Sequence, residues 1–185
     1  LWILGGGVIP LKQTNYNPRT NKGLPIFKEG KSVRTGFDRM NPISAYSAYY
    51  EFKEIESELD KNDISIYTDG SYKEKQNGKK SSGAGIIIYA DKLERIKLSI
   101  PTGSNSIAYA ELYAIAMAIE WLQTTQEYNN RNIHFFVDNL YTKNVLCGQW
   151  STLKYQHLIQ DIFHTAKKIK GKRDLIIHWI PSHID

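Results

Sequence analysis

Cysteine is almost missing from this chain: Cys147 is the single one among 185 residues. No intrachain disulfide can form, which fits a reducing, intracellular compartment, cytoplasmic or nuclear. Cys147 itself falls within a helical stretch and reads as a packing residue without chemistry. Long apolar runs are missing too. No stretch approaches the roughly 18 apolar residues that a membrane-spanning helix needs, so no membrane partner is expected. Leu1-Trp-Ile-Leu4 is too short for a signal-peptide core, and no basic residue precedes it. Repeats and low-complexity tracts are absent. There is no initiator Met, and the chain ends at Ile184-Asp185, so it reads as a fragment, a processed product or the ordered part of something longer. Acids are outnumbered, with 19 Asp and Glu against 24 Lys and Arg, a net charge of +5. That balance suits a polyanionic partner without proving one.

What is present divides in two. Residues 1–62 read as an irregular basic arm or linker. Gly5-Gly-Gly7 and the prolines at 10, 18, 25 and 42 punctuate it, and no apolar period holds. Its first 50 residues carry seven Lys and Arg against Glu29 and Asp38. A solvated linker is the plain reading; an extended arm lying on nucleic acid, with Tyr46, Tyr49, Tyr50 and Phe52 stacking on bases, is the sharper one. Such aromatics more often pack an arm onto its domain.

Residues 63–185 read as a folded domain. Ile64–Thr68 alternates as a strand, Asn77-Gly78 marks a hairpin loop, and Gly83–Ala90 and Glu94–Ile100 continue an antiparallel meander. Pro101–Ser106 reads as a loop. Leu112, Ile115, Ile119 and Leu122 lie at helical spacing within a helix over 107–123. Ile133–Val137 is a strand, and Asn139 caps a short helix through Leu146. A longer helix covers 153–169, with Leu158, Ile162, Ala166 and Ile169 inward, and Leu175–Ile180 is a last strand. The order β-β-β-α-β-α-α-β predicts an α/β fold with a mixed sheet. Seven Lys and Arg against Asp161 alone, between Leu140 and Arg173, make a solvated helix face or a phosphate track.

Three carboxylates stand out within this frame. Asp69 and Asp138 each close an apolar run at a strand end, and Glu111 lies near a helix start. Each has a bland explanation alone: a turn residue before Gly70-Ser71, an acid favoured by a helix dipole, a cap at Asp138-Asn139. Together, on converging elements, they form an all-oxygen set suited to hard divalent cations and metal-assisted phosphoryl chemistry.

In that order, Tyr67-Thr-Asp69-Gly-Ser71, Ala110-Glu111-Leu112, Val137-Asp138-Asn139 and His178-Trp-Ile-Pro-Ser-His183 resemble the ribonuclease H family over about residues 63–185. The resemblance implies a ribonuclease H-like fold, with a mixed five-stranded sheet and flanking helices. It implies hydrolysis of the RNA strand of RNA–DNA hybrids by two Mg²⁺ ions, Mn²⁺ being able to substitute. Carried over, Asp69 bridges both metals, Glu111 holds the leaving-group-side metal, and Asp138 holds the metal of the attacking water. His183 resembles the mobile histidine that aids product release or proton transfer. Gly70, Ser71 and Asn105 are expected substrate contacts, reading a 2′-OH on one strand.

Two departures matter. The family's fourth carboxylate lies further past the histidine, whereas this chain stops two residues beyond His183; Asp185 stands at the wrong spacing and is not assigned. There is also no room between Trp150 and the next helix for the basic, Trp-rich insertion of many free-standing members. Members without it resemble ribonuclease H domains joined to reverse transcriptases, so a polymerase domain or a larger nucleoprotein complex is an expected partner. The alternative is a weakly active or inactive module of this fold, acting as a structural or nucleic-acid-binding subunit of a ribonucleoprotein.

Overall fold

Alternation in Ile64-Ser-Ile-Tyr-Thr builds the central strand β2 (Ile64–Glu74), whose even positions Ile64, Ile66 and Thr68 are buried. The computed structural model describes residues 26–33, 42–103, 105–148 and 152–181. β2 turns back through Gly78, at φ +77°, into β3 (Lys80–Ala90). Asp91 and Lys92, both at positive φ, make the tight turn into β4 (Leu93–Gly103). Two positive-φ residues in a row match the right-handed twist of a two-residue hairpin. The expected loop at 101–106 starts later, because β4 runs on through Pro101. β4 is an edge strand, where a missing N–H costs no ladder bond.

Helix α2 (Ile107–Thr124) opens with Ser106 accepting the Tyr109 N–H, and it buries Leu112, Ile115, Ile119 and Leu122. Strand β5 (Ile133–Val137) is buried throughout. Helix α3 (Leu140–Leu146) is capped by the Asn139 side chain. Helix α4 (Gln156–Lys170) buries the expected Leu158, Ile162, Ala166 and Ile169. It starts at 156 rather than 153, because Leu153 is exposed and Tyr155 sits in the left-handed region at φ 59°. Strand β6 (Leu175–Trp179) closes the domain. The core of α2, α3 and α4 lies on one face of the sheet. No described helix is long and apolar enough to cross a membrane.

Among the described residues the sheet has six strands, not five: with β1 (Phe27–Glu29) at its edge the order is β1-β6-β5-β2-β3-β4, antiparallel from β2 to β4 and parallel elsewhere. The extra strand β1 comes from the arm. Where the arm is described it is structured, which corrects the expectation of an irregular segment. Phe27 is fully buried, edge-on to Phe135 at 6.0 Å and Phe163 at 5.7 Å. Burying such a side chain contributes roughly 1.5–3 kcal/mol. Three residues are too few to show a period.

The arm also supplies helix α1 (Pro42–Ser57). It lays Ala48, Phe52 and Ile55 on the second face of the sheet, against Phe136 and Val33. Those positions do follow helical spacing. The pattern is blurred because Ile43, Tyr46 and Tyr50 are apolar on the exposed side. Phe52 is a packing residue; Tyr46 and Tyr50 stay exposed, edge to face at 4.6 Å.

A buried polar chain ties the arm to the sheet. Asp63 Oδ2 meets His134 Nε2 at 2.8 Å, His134 Nδ1 meets His178 Nε2 at 2.8 Å, and His178 Nδ1 meets the Lys31 carbonyl at 3.0 Å. A carbonyl only accepts, so His178 Nδ1 carries a hydrogen and donates it to Lys31. Burial, opposed by the hydrogen bond to Lys31, pushes the His178 pKa down to about 4. Gly30 is required beside it, since a Cβ there would lie 2.4 Å from His178 Nδ1.

Candidate metal centre

Strand register alone aligns the two aspartates. β2 and β5 are parallel neighbours that pair Tyr67 with Phe136, so Asp69 and Asp138 both stand two residues further on. Parallel neighbours lie ~4.8 Å apart. The Trp179 indole N–H fixes the end of β5 by donating to the Asp138 carbonyl at 3.1 Å. Glu111 comes from α2, on the other face. One oxygen from each of the three carboxylates lies within 4.8 Å of the others.

Their surroundings differ. Asp69 is exposed, Asp138 half-buried and Glu111 fully buried. Glu111 Oε1 accepts a 2.5 Å hydrogen bond from the Thr68 hydroxyl. Glu111 Oε2 is buried with no hydrogen-bond partner among the described residues. Burial first, then the negative charges of Asp138 and Asp69, push the Glu111 pKa up to about 8, against the opposing bond from Thr68 and the nearby Gly70 backbone. A fully buried carboxylate with one unpartnered oxygen, grouped with two more carboxylates, fits a hard cation: its charge would remove the mutual repulsion and satisfy the idle oxygen.

The strand and helix meet at contact distance because of Gly70. A Cβ there would fall 2.7 Å from the Ile107 carbonyl oxygen and 3.1 Å from the Glu111 nitrogen. Both are backbone atoms, which cannot swing aside. A Gly70→Ala chain is therefore expected to lose about 2 kcal/mol of stability and to melt roughly 5 °C lower. Cleavage should fall with it, since Glu111 is displaced. A thermal melt beside a hybrid-cleavage assay checks both; an unchanged melt would refute the close approach.

The remaining expected contacts are spread out. Ser71 is exposed, its hydroxyl donating weakly to the Gly83 carbonyl at 3.4 Å. The Asn105 side-chain amide donates to the Thr102 carbonyl at 2.5 Å, and its backbone N–H to Ser82 Oγ at 3.2 Å. Gly70 and Ser71 thus follow Asp69 directly within β2, while the Asn105 side chain is engaged inside the loop before α2. His183 and Asp185 lie outside the described residues. Cys147 caps α3 and packs on the core, its thiol pushed up to about 12 by burial, so it is inert. A trough of about 570 Å³ opens on the α1 side of the sheet, walled by Phe52, Tyr67, Tyr89 and Phe136, with Asp69 and Asp138 among its lining residues. Thr68 was not anticipated as a site residue. Its signal is a hydroxyl in the otherwise apolar row Ile64, Ile66, Thr68.

A family model described as RNase H matches residues 61–185. No curated protein matches the chain. Among solved structures, LC11-RNase H1, isolated from compost by a metagenomic approach, is 22% identical with a TM-score of 0.56, over 65% of this chain and 86% of that one. The same enzyme in complex with an RNA/DNA hybrid is 20% identical with a TM-score of 0.55, over 64% and 86%. The foamy viral protease-reverse transcriptase in complex with RNA/DNA hybrid is 21% identical with a TM-score of 0.53, over 68% of this chain and 18% of that one. These likenesses establish the fold.

Proposed function

The chain belongs to the ribonuclease H family, and from that premise we propose that it hydrolyses the RNA strand of RNA–DNA hybrids, using two divalent cations at Asp69, Glu111 and Asp138. The observation that carries this reading is the convergence of three carboxylates, one oxygen of each within 4.8 Å of the others, together with a buried Glu111 oxygen that has no hydrogen-bond partner among the described residues. Mg²⁺ is the expected ion, with Mn²⁺ able to replace it, because the donors are all hard oxygens. When bound, a pair of such ions acidifies the attacking water and neutralises charge on the entering and leaving oxygens.

The chain's own residues supply position and charge. Asp69, exposed on the interior strand β2, would be the ligand shared by the two ions. Glu111 holds its ion from the buried side, and Asp138 from the end of β5. His183 is proposed to aid product release, and Gly70, Ser71 and Asn105 to face the hybrid. The run from Trp150 into α4, without an inserted basic helix, supports a setting beside a polymerase domain.

The test is cleavage of a hybrid labelled on its RNA strand, with Mg²⁺, with Mn²⁺ and with chelator, beside an Asp69→Asn chain. RNA cleavage that needs the ion and falls at least about 1000-fold in the variant is expected, about 4 kcal/mol of barrier. Binding without cleavage by the unaltered chain would instead favour a structural or nucleic-acid-binding module. Cleavage that persists in chelator would overturn the metal reading.

A further inference from the structure

We propose that Thr68 is a positioning residue: its hydroxyl anchors one oxygen of Glu111 so that the other faces the cation. The inference rests on the metal reading above and adds a residue to it. Left unanchored, the Glu111 carboxylate is able to turn its oxygens away from Asp69 and Asp138. Three side-chain torsions leave it free to do so. Something must hold it.

Thr68 is built for that task. It is buried, and its Oγ1 donates to Glu111 Oε1 at 2.5 Å, the short range of a hydroxyl–carboxylate bond. As a β-branched residue in a strand it is stiff about its first torsion, so the anchor point does not wander. It occupies the face of β2 that elsewhere carries Ile64 and Ile66. Valine would fill the same space without the hydroxyl, so packing alone does not call for threonine. Two residues on, Gly70 lets the strand come within contact distance of α2, which puts the hydroxyl within reach of the carboxylate. With Oε1 engaged, Oε2 is the oxygen left without a hydrogen-bond partner among the described residues.

Groups that orient a ligand from behind typically alter metal affinity 10- to 100-fold when removed. The experiment is titration of the metal-free chain with Mn²⁺ alone, followed by electron paramagnetic resonance, for the unaltered chain and for Thr68→Val, Thr68→Ser and Thr68→Ala. Thr68→Val and Thr68→Ala are expected to bind Mn²⁺ about tenfold more weakly. Thr68→Ser restores the hydroxyl and should stay within about threefold of the unaltered chain. In the cleavage assay the loss should be recovered by raising the Mg²⁺ concentration, with hybrid affinity unchanged.

If Thr68→Val does not fold, the Ser and Ala variants, which differ only in the hydroxyl, carry the comparison. Equal Mn²⁺ affinity with and without the hydroxyl overturns the proposal while leaving the metal site intact. Absence of Mn²⁺ binding by the unaltered chain overturns the metal reading itself, so the two failures are distinguishable.

Discussion

Replacing Glu111 with Gln is expected to do two opposite things: RNA cleavage falls at least about 1000-fold, and the metal-free chain becomes more stable at pH 8. The activity loss follows from removing an anionic ligand on the buried side of the site. The stability gain follows from what the native residue costs. Glu111 is fully buried, faces Asp138 and Asp69, and is pushed from an ordinary 4.5 to about 8 in the fold.

A carboxyl whose pKa is raised by folding contributes its full stability below pH 4.5, and that stability drains away as pH rises through 8. At about 1.4 kcal/mol per unit, the loss is on the order of 5 kcal/mol as an upper bound. A neutral Gln keeps the hydrogen bond from Thr68 and removes the slope. Urea unfolding in chelator at pH 5 and pH 8 checks this: the native chain should weaken between them and Glu111→Gln should not. Mg²⁺ should restore the native chain at pH 8, because a ligand that binds only the folded state stabilises it by mass action. A native chain equally stable at both pH values would sink the argument.

The second large effect lies on the acid side, at the seam between arm and sheet. His178 is held neutral, its pKa lowered from 6.5 to about 4, with burial the leading cause. The sign is the reverse of that for Glu111. The unfolded ring takes up a proton near pH 6.5 while the folded ring resists until about 4, so stability is present above 6.5 and lost as pH falls towards 4. The loss is on the order of 3 kcal/mol.

The cause is burial and charge together. A second proton puts a charge on a buried ring that lies 2.8 Å from His134 Nδ1 and stacks on Phe136 at 4.9 Å. Asp63 lies beyond His134 and Lys31 at the other end of the chain, and the Lys31 charge also opposes a second cation. β1 should loosen first, because the Lys31 carbonyl accepts from His178. Amide exchange at Gly30 and Val33, which donate to the Ile177 and Trp179 carbonyls, should quicken between pH 6.5 and 4.5 relative to β2. Nuclear magnetic resonance of the ring gives the direct check: a His178 titrating near 6.5 would refute the assignment. Measuring in a Glu111→Gln background removes the opposing slope.

Much of the fold was legible because its signals are local. The alternation from Ile64, the helical spacing of Leu112 through Leu122, and the Asn139 cap each span a few residues. Strand ends were less so. β2 extends to Glu74 because Tyr72, Lys73 and Glu74 pair with Ser82, Ser81 and Lys80, and polar exposed residues announce no strand. In the arm, β1 needs β6 to exist, and α1 needs Phe136 to cover.

What the sequence by itself determined is the kind of chemistry: Asp69 closing an apolar alternation, Asp138 just past a buried strand, and Glu111 near a helix start. That Asp69 sits within β2 rather than at its end was left to the structure. Only the tertiary structure decided how those groups behave. Thr68 meets Glu111 across 43 residues, and His178 meets the Lys31 carbonyl across 147. A hydrogen-bond partner so far away in the chain leaves no local period. The burial that raises one carboxyl and lowers one imidazole exists only once distant strands and helices have closed around them.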